Sequence, residues 1–298
     1  MAQTQLIEAE LASSLVPGPA QYAVLLPADY ETSGETYPLL FFLHGGGGDR
    51  SFLTQMRPLL EDVWRQGILP PAVVVTPSVT RSFYMDFRDG SQKWETFLIT
   101  EFLPFLRKTY RLRTDRQGTL IWGVSMGGMG GLRLSFKYPD VFGGVAALEP
   151  GIEPALTFKD IQLRDRFWRS DEMFEDIYGK PVDEAYWQAN NPANIALADP
   201  DRIRSSGLGI YLDCGDEDSF HLNEGTEFLH RVLYDQKIPH EYHLVRGADH
   251  LGRTLGPRAR EGLGFLNRVL NPPPPDPIVE GLRKQIRQWK KQAGMDVD

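Results

Sequence analysis

The sequence predicts an α/β protein: a mostly parallel central sheet with helices packed on both faces. Three observations predict it. Short apolar runs alternate with helical patterns from residue 39 to residue 270. Several runs are continuously apolar, such as Leu-Leu-Phe-Phe-Leu at 39–43 and Ala-Val-Val-Val-Thr at 72–76. Strands of that kind are buried on both faces, as in a parallel sheet covered by helices. Finally, a glycine-flanked serine stands where one such run meets a helix of small residues, the context of a strand–turn–helix corner.

Taken in order, the segment 22–26, closed by Pro27, reads as an extra early strand, antiparallel at an edge. Strands then follow at 39–43, 72–76, 119–124, 144–148, 208–213 and 241–246. Helices fit 91–110, 126–137, 222–236 and 257–270, and Pro104 is placed to kink the first of them. Residues 1–271 form one α/β domain, interrupted at about 151–200 by an insertion of short helical pieces rich in aromatics. That insertion is either a lid or substrate wall, Trp187 included, or an excursion that packs its own aromatics. Residues 272–298 begin with four consecutive prolines, a stiff spacer. They continue as an amphipathic basic helix, with Ile278, Val279, Leu282, Ile286 and Trp289 at helical spacing among Arg283, Lys284, Arg287, Lys290 and Lys291. The expected roles of this helix are docking on its own acidic domain or a homo-oligomeric subunit contact, ahead of an anionic membrane surface.

Composition narrows the function. The 298 residues carry a net charge of -8, which argues against nucleic acid as a partner, because phosphate recognition needs a basic footprint. No apolar run reaches the length of a membrane span. The first 17 residues hold no basic residue, so no secretory leader is read, and the single cysteine, Cys214, rules out an internal disulfide. A reducing, cytoplasmic setting is the expectation.

The chemistry centres on Gly123-Val-Ser125-Met-Gly127. A sharp turn there projects the Ser125 hydroxyl from the sheet's carboxyl edge. The helix starting at Met126 aims its free N–H groups at the same point. Upstream, His44 is followed by four glycines, 45–48, directly after a strand. An N–H from Gly46, or alternatively Gly47, would join that of Met126 as an oxyanion hole, with His44 shaping the loop. The loop lacks the Gly-Lys-Ser/Thr of a nucleotide cradle.

Serine needs a base and the base needs an acid. Among six histidines, His250 lies in a loop after the last strand, where the base belongs; His221 is its rival. The acid comes from the loop after 208–213, where Asp218 is preferred and Asp216 is second. Cys214 is a weak alternative nucleophile. No residue spacing suggests a metal or other cofactor.

With these residues in place, the chain resembles the esterase D and feruloyl-esterase branch of the α/β hydrolases, which includes S-formylglutathione hydrolases and mycolyltransferase relatives. The likeness runs from about Tyr22 to Leu270. It rests on the Tyr22–Pro27 strand, the glycine loop after His44, Asp89-Gly-Ser-Gln-Lys-Trp-Glu-Thr-Phe97, the Ser125 motif, Gly215-Asp-Glu-Asp218-Ser-Phe220 and Gly247-Ala-Asp-His250. The resemblance implies an α/β-hydrolase fold with Ser125, Asp218 and His250 as a triad. It also implies substrate contacts from Arg81, Tyr84 and Asp86, with Trp94 either near the pocket or packing at a helix start. Two features depart from the family pattern. Glu149-Pro150 stands where a small polar residue is usual, which puts Glu149 near the site, and the cysteine-containing oxyanion loop of close S-formylglutathione hydrolases is missing. The implied activity is hydrolysis of small-molecule carboxylic esters, short-acyl or aryl (hydroxycinnamoyl-like). Thioester hydrolysis and acyl transfer with the same triad are alternatives, and a binding protein on a hydrolase scaffold is the non-enzymatic one.

Overall fold

A computed structural model describes residues 3–296. Its sheet has eight strands: β1 (Gln5–Leu11), β2 (Ala20–Leu26), β3 (Leu39–Leu43), β4 (Val73–Pro77), β5 (Thr119–Val124), β6 (Gly144–Leu148), β7 (Gly209–Gly215) and β8 (Glu241–Val245). They lie in the order β1-β2-β4-β3-β5-β6-β7-β8. Only β2 runs against its neighbours; β3 to β8 pair in parallel. This is the α/β-hydrolase architecture. The chain winds outward in one direction from β3 to β4, crosses back to β5 and then winds the other way. The loops after β3 and β5 therefore meet at a topological switch point, where open α/β sheets bind ligands.

The continuous apolar strands feed two cores. Leu39, Phe41, Leu43, Ile121, Val145 and Ala147 face one side; Leu40, Phe42, Leu120, Trp122, Ala146 and Leu148 face the other. On the first face the Met126–Lys137 helix packs against β5 and β6. On the second, the Leu255–Leu270 helix covers β6 and β7, beside the Ser51–Arg65 helix. Trp122 stacks on Phe42 with ring centroids 4.2 Å apart, filling the middle of the second core.

Some elements differ from the sequence expectation. β1 is not an apolar run: it alternates Ile7, Ala9 and Leu11 with Glu8 and Glu10, as a half-exposed edge strand does. The Ser51–Arg65 helix was also unassigned; Pro58 interrupts its otherwise regular stripe of Phe52, Leu53, Met56, Leu60 and Val63. The helix expected over 91–110 begins at Trp94 and ends at Thr109, and Pro104 is met differently from a simple kink. Residues Phe97–Phe102 widen into a π-helix just before the proline, and Leu103 N–H bonds to the Leu98 carbonyl, five residues back. The wider turn absorbs the proline's lost donor and the crowding of its ring.

The insertion between β6 and β7 is held by buried charge. Arg133, fully buried on the helix after Ser125, donates to Glu95, to Asn190 Oδ1 at 3.0 Å and to the Tyr84 carbonyl at 2.8 Å. Lys137 and Tyr138 reach the same Glu95, at 3.2 and 2.7 Å. Arg169, also fully buried, pairs with Glu153 and lies 4.2 Å from the Phe83 ring centroid and 4.7 Å from that of Phe174. The insertion thus does two jobs. Phe174, Tyr178 and Trp187 pack into the core, while Phe167 and Trp168 stay partly exposed.

The Pro277–Gln292 helix has no buried residue, and its capping carboxylate, Asp276, accepts from Ile278 N at 2.8 Å. Among the described residues no helix is long and apolar enough to cross a membrane.

Two outcomes follow for stability. Arg133→Met leaves Glu95 buried without its main partner and should cost about 3–5 kcal/mol in a urea titration. Removing residues 272–298 takes away almost no buried surface, so the midpoint of that titration should hold to within about 0.5 kcal/mol.

Candidate active site

Ser125 sits between β5 and its helix with φ 56° and ψ −116°, a conformation that costs a non-glycine residue about 1–3 kcal/mol. The surroundings enforce it. Ser125 N–H bonds to the Leu148 carbonyl at 2.9 Å, and the Ser125 carbonyl accepts from Met129 and Gly151 N–H, both at 3.0 Å. A Cβ at position 123 would lie 2.2 Å from the Gly127 carbonyl oxygen, and one at position 127 would lie 2.2 Å from that of Leu43. Both residues must be glycine for the helix to start this close to the sheet edge. Its first amides, Met126 among them, have no carbonyl partner one turn back.

Across the switch point, the loop after β3 turns at Gly45–Gly48, closed by Gly48 N–H to the Gly45 carbonyl at 3.1 Å. Gly47 takes the left-handed position of that turn, φ +80°. His44 is completely buried, with Nδ1 2.8 Å from the Gly45 carbonyl, so it shapes the loop. Burial is the main cause holding its pKa below the ordinary histidine value.

The loops after β7 and β8 supply an acid–imidazole pair. His250 Nδ1 lies 2.9 Å from Asp218 Oδ2. The other carboxylate oxygen accepts from Phe220 N–H at 2.8 Å and Leu222 N–H at 3.3 Å. Burial alone would raise the Asp218 carboxyl; the bonds from His250 and the two amides outweigh it and hold Asp218 below the usual carboxylate range. Asp249 ties the two loops together, accepting from Ser219 N–H at 2.7 Å and Ser219 Oγ at 2.6 Å.

Rival residues go elsewhere. Asp216 is exposed and accepts from Gly247 N–H at 2.6 Å, fastening a turn. His221 is exposed, in a left-handed conformation at the start of the Leu222–Asp235 helix. Cys214 is buried against Asp218, 3.7 Å away, and burial followed by that carboxylate's charge pushes its thiol pKa up, away from the thiolate a nucleophile needs.

Ser125 and His250 line one cavity of about 540 Å³, together with Gly45, Gly46, Gly48 and Met126. Gly47 is not part of that lining. Arg81, an exposed residue, also lines that cavity. Five other expected contacts are not brought there. Tyr84 is fully buried, its hydroxyl donating to the His44 carbonyl at 3.0 Å, and it supports the glycine loop from behind. Asp86 accepts from Thr96 N–H at 3.0 Å and from its hydroxyl, capping the helix start. Trp94 packs at that helix start with Nε1 on Gln92 Oε1 at 2.8 Å, and Trp187 is buried against Phe158. Glu149 is not on the cavity surface but behind it. It is completely buried, 2.7 Å from Arg258 Nη2, and burial pushes its carboxyl up to about 7.

The walls come instead from Phe52, Phe83, Phe167, Trp168, Met173, Phe220, Leu251 and Leu255. Phe167 stacks on Phe220 at 5.6 Å, and Phe220 lies 4.5 Å from the His250 ring, so an aromatic shelf leads to the imidazole. The aromatic richness of the insertion was the signal for this wall. Which rings turn inward depends on irregular 3-10 segments that carry no periodicity.

Glu149, Asp218 and His250 bring one donor atom each within 4.8 Å of one another. His250 Nδ1 is already engaged by Asp218, so the grouping is an imidazole beside two carboxylates.

Comparison with known proteins agrees with this architecture. Residues 13–252 match a family model described as "Putative esterase". Esterase Rv1288 of Mycobacterium tuberculosis is 31% identical over 245 residues, covering 75% of this chain and 51% of that protein. The mycolyltransferase Ag85B of Mycobacterium leprae is 27% identical over 184 residues, 56% of this chain and 53% of its own. The chain thus spans about half the length of these curated relatives. Among solved structures, a ferulic acid esterase superposes with a TM-score of 0.75 at 24% identity, over 91% of this chain and 100% of that one, a likeness of fold. With the matched segment running from before β2 through the His250 loop, the chain belongs to this esterase family.

Proposed function

We propose that this protein hydrolyses carboxylic esters of small molecules through an acyl-enzyme on Ser125. The observation that carries the reading is that the strained Ser125 and the Asp218-bonded His250 line the same cavity.

His250 Nε2 takes the Ser125 proton as Oγ attacks the ester carbonyl. Asp218 fixes the tautomer with the proton on Nδ1 and stabilises the imidazolium that forms. The N–H groups of Met126 and Gly46 receive the oxyanion, each worth about 10²- to 10³-fold in rate. The alcohol leaves with the proton from His250, and water repeats the sequence on the acyl-enzyme. The Phe167–Phe220 shelf and Trp168 favour short-acyl or aryl esters, and Arg81 is placed to meet a polar or anionic group at the rim. The similarity to Ag85B supports a second reading, acyl transfer to an alcohol, which uses the same acyl-enzyme.

Ser125→Ala should lower turnover of nitrophenyl acetate by about 10⁴- to 10⁶-fold and abolish labelling by a fluorophosphonate; retained turnover or an adduct elsewhere would refute the assignment. Asp218→Asn should cost at least about 10³-fold, whereas Asp216→Asn, altering only an exposed turn, should stay within about threefold of wild type. Mass spectrometry of products formed with added glycerol separates the two readings, a glyceride ester marking transfer.

A further inference from the structure

Three groups at the carboxyl edge are not used by the reaction above: Glu149 after β6, Asp213 near the end of β7, and Arg258 on the Leu255–Leu270 helix. All are buried: Glu149 and Asp213 at 0% exposure, Arg258 at 2%. We propose that Glu149 is a positioning residue for His250, a second carboxylate whose negative charge favours the imidazolium formed when Ser125 gives up its proton. This rests on the triad reading of Ser125, Asp218 and His250.

The geometry supports it from each neighbouring element. From β7, Asp213 accepts from Arg258 Nε at 2.8 and 3.1 Å, and the Asp213 carbonyl accepts from Glu149 N–H at 2.6 Å. From the helix, Arg258 reaches Glu149 at 2.7 Å and donates through Nη1 to the Asp249 carbonyl, one residue before His250, at 3.3 Å. From the loops after β7 and β8, Asp218 and His250 place their donor atoms within 4.8 Å of the Glu149 carboxylate. Cys214 is also close enough to feel the charge. Three buried carboxylates therefore face one guanidinium and one imidazole. Asp218 has four hydrogen bonds, from His250, the Cys214 thiol and two amides, and Asp213 has three from Arg258. Glu149 has the ion pair, and neither of its oxygens accepts a well-aligned hydrogen bond among the described residues. It is the carboxyl that gives way, held up to about 7 by burial, with Arg258 and then His250 opposing. Its backbone is in the left-handed region, φ 38°, which a non-glycine side chain adopts only when the fold requires it.

A carboxylate needed only to neutralise Arg258 would be redundant, since Asp213 already takes that guanidinium in three hydrogen bonds, from Nε and Nη2. What Glu149 adds is charge beside the imidazole. No proton passes to it during the reaction: the Ser125 proton goes to Nε2, the Nδ1 proton stays toward Asp218, and Glu149 acts through space.

The sign of the effect is set by its titration. Below about pH 7 Glu149 is protonated and contributes no charge; above it the carboxylate favours imidazolium. Glu149→Gln removes the charge while keeping the shape. In nitrophenyl acetate hydrolysis kcat at pH 8 should fall about tenfold, with KM within about twofold, and the deficit should shrink as pH drops below about 7, where neither protein carries the charge. Glu149→Asp, which keeps the charge, should retain most of the pH 8 rate. Equal loss at all pH values would mark a structural role and overturn the proposal, as would an unchanged rate at pH 8. A second measurement needs neither turnover nor a Glu149 variant. In histidine-labelled Ser125→Ala protein, the His250 ring resonances followed by NMR should titrate over a wider range than a one-proton curve. A simple one-proton curve overturns the proposal. Ser125→Ala also separates the layers: if it still hydrolyses ester the triad reading itself falls, and if it is inactive while Glu149→Gln shows no deficit that grows above pH 7, only the role of Glu149 falls.

Discussion

The site depends on one steric constraint: the backbone of the helix after Ser125 approaches the backbone of β3 and β5 too closely for any side chain between them. Gly123 and Gly127 satisfy it, each facing a carbonyl oxygen that a Cβ would strike at 2.2 Å. That approach strains Ser125, and the strain is borne because the serine's own N–H and carbonyl are bonded to its own helix at Met129 and to the end of β6 and the turn after it, at Leu148 and Gly151. The consequence is electrostatic. A helix N-terminus is brought to the centre of the sheet edge, where its unpaired amides face the glycine loop across the switch point. A looser corner would leave the hydroxyl and the amides aimed at different points.

Buried arginines anchor what surrounds this corner. Arg133 ties the helix after Ser125 to Glu95 and Asn190, Arg169 ties the insertion to Glu153, and Arg258 ties its own helix to β6 and β7. Each is paired, as burial of a charge demands, and each pair is costly to break one side at a time. Such pairs contribute little net stability compared with apolar packing, but they fix register between elements that share few apolar contacts. Arg169 does so with rings as well as charge: stacked near Phe83 and Phe174, it also lies 5.0 Å from the Trp168 ring that lines the cavity.

The legible parts of the sequence were those where chemistry follows a strand directly. Ser125, the glycine loop and His250 each sit within five residues of a parallel strand end, so the apolar run that identifies the strand also locates the residue. Asp218 was separable from Asp216 by the turn at Gly215, and the coordinates distinguish them by direction: one carboxylate faces the imidazole, the other faces a backbone amide at the surface. The fold was legible for the same reason, apart from β1 and the Ser51–Arg65 helix. Glutamates mask the first as polar, and a proline masks the second as broken. Substrate contacts were not legible. Tyr84, Trp94 and Trp187 turn into the core, because an aromatic ring's direction depends on packing rather than on residue type. Phe167 and Trp168 turn outward from segments with no repeating pattern.

This division between legible and illegible residues follows the division of labour in the molecule. The groups proposed to react stand at the ends of parallel strands, whose spacing is set by backbone hydrogen bonds. The walls stand on the insertion and on loops, whose positions are set by side-chain contacts such as Phe167 on Phe220. A change in the insertion can therefore alter which ester fits without moving Ser125 relative to His250. Shared chemistry with differing acceptors among relatives is then expected, since hydrolysis and acyl transfer differ only in what reaches the acyl-enzyme. Glu149 is the exception to this separation. It belongs to a strand end, yet it is hidden from the cavity, so its influence falls on the imidazole and is the same whichever ester the walls admit.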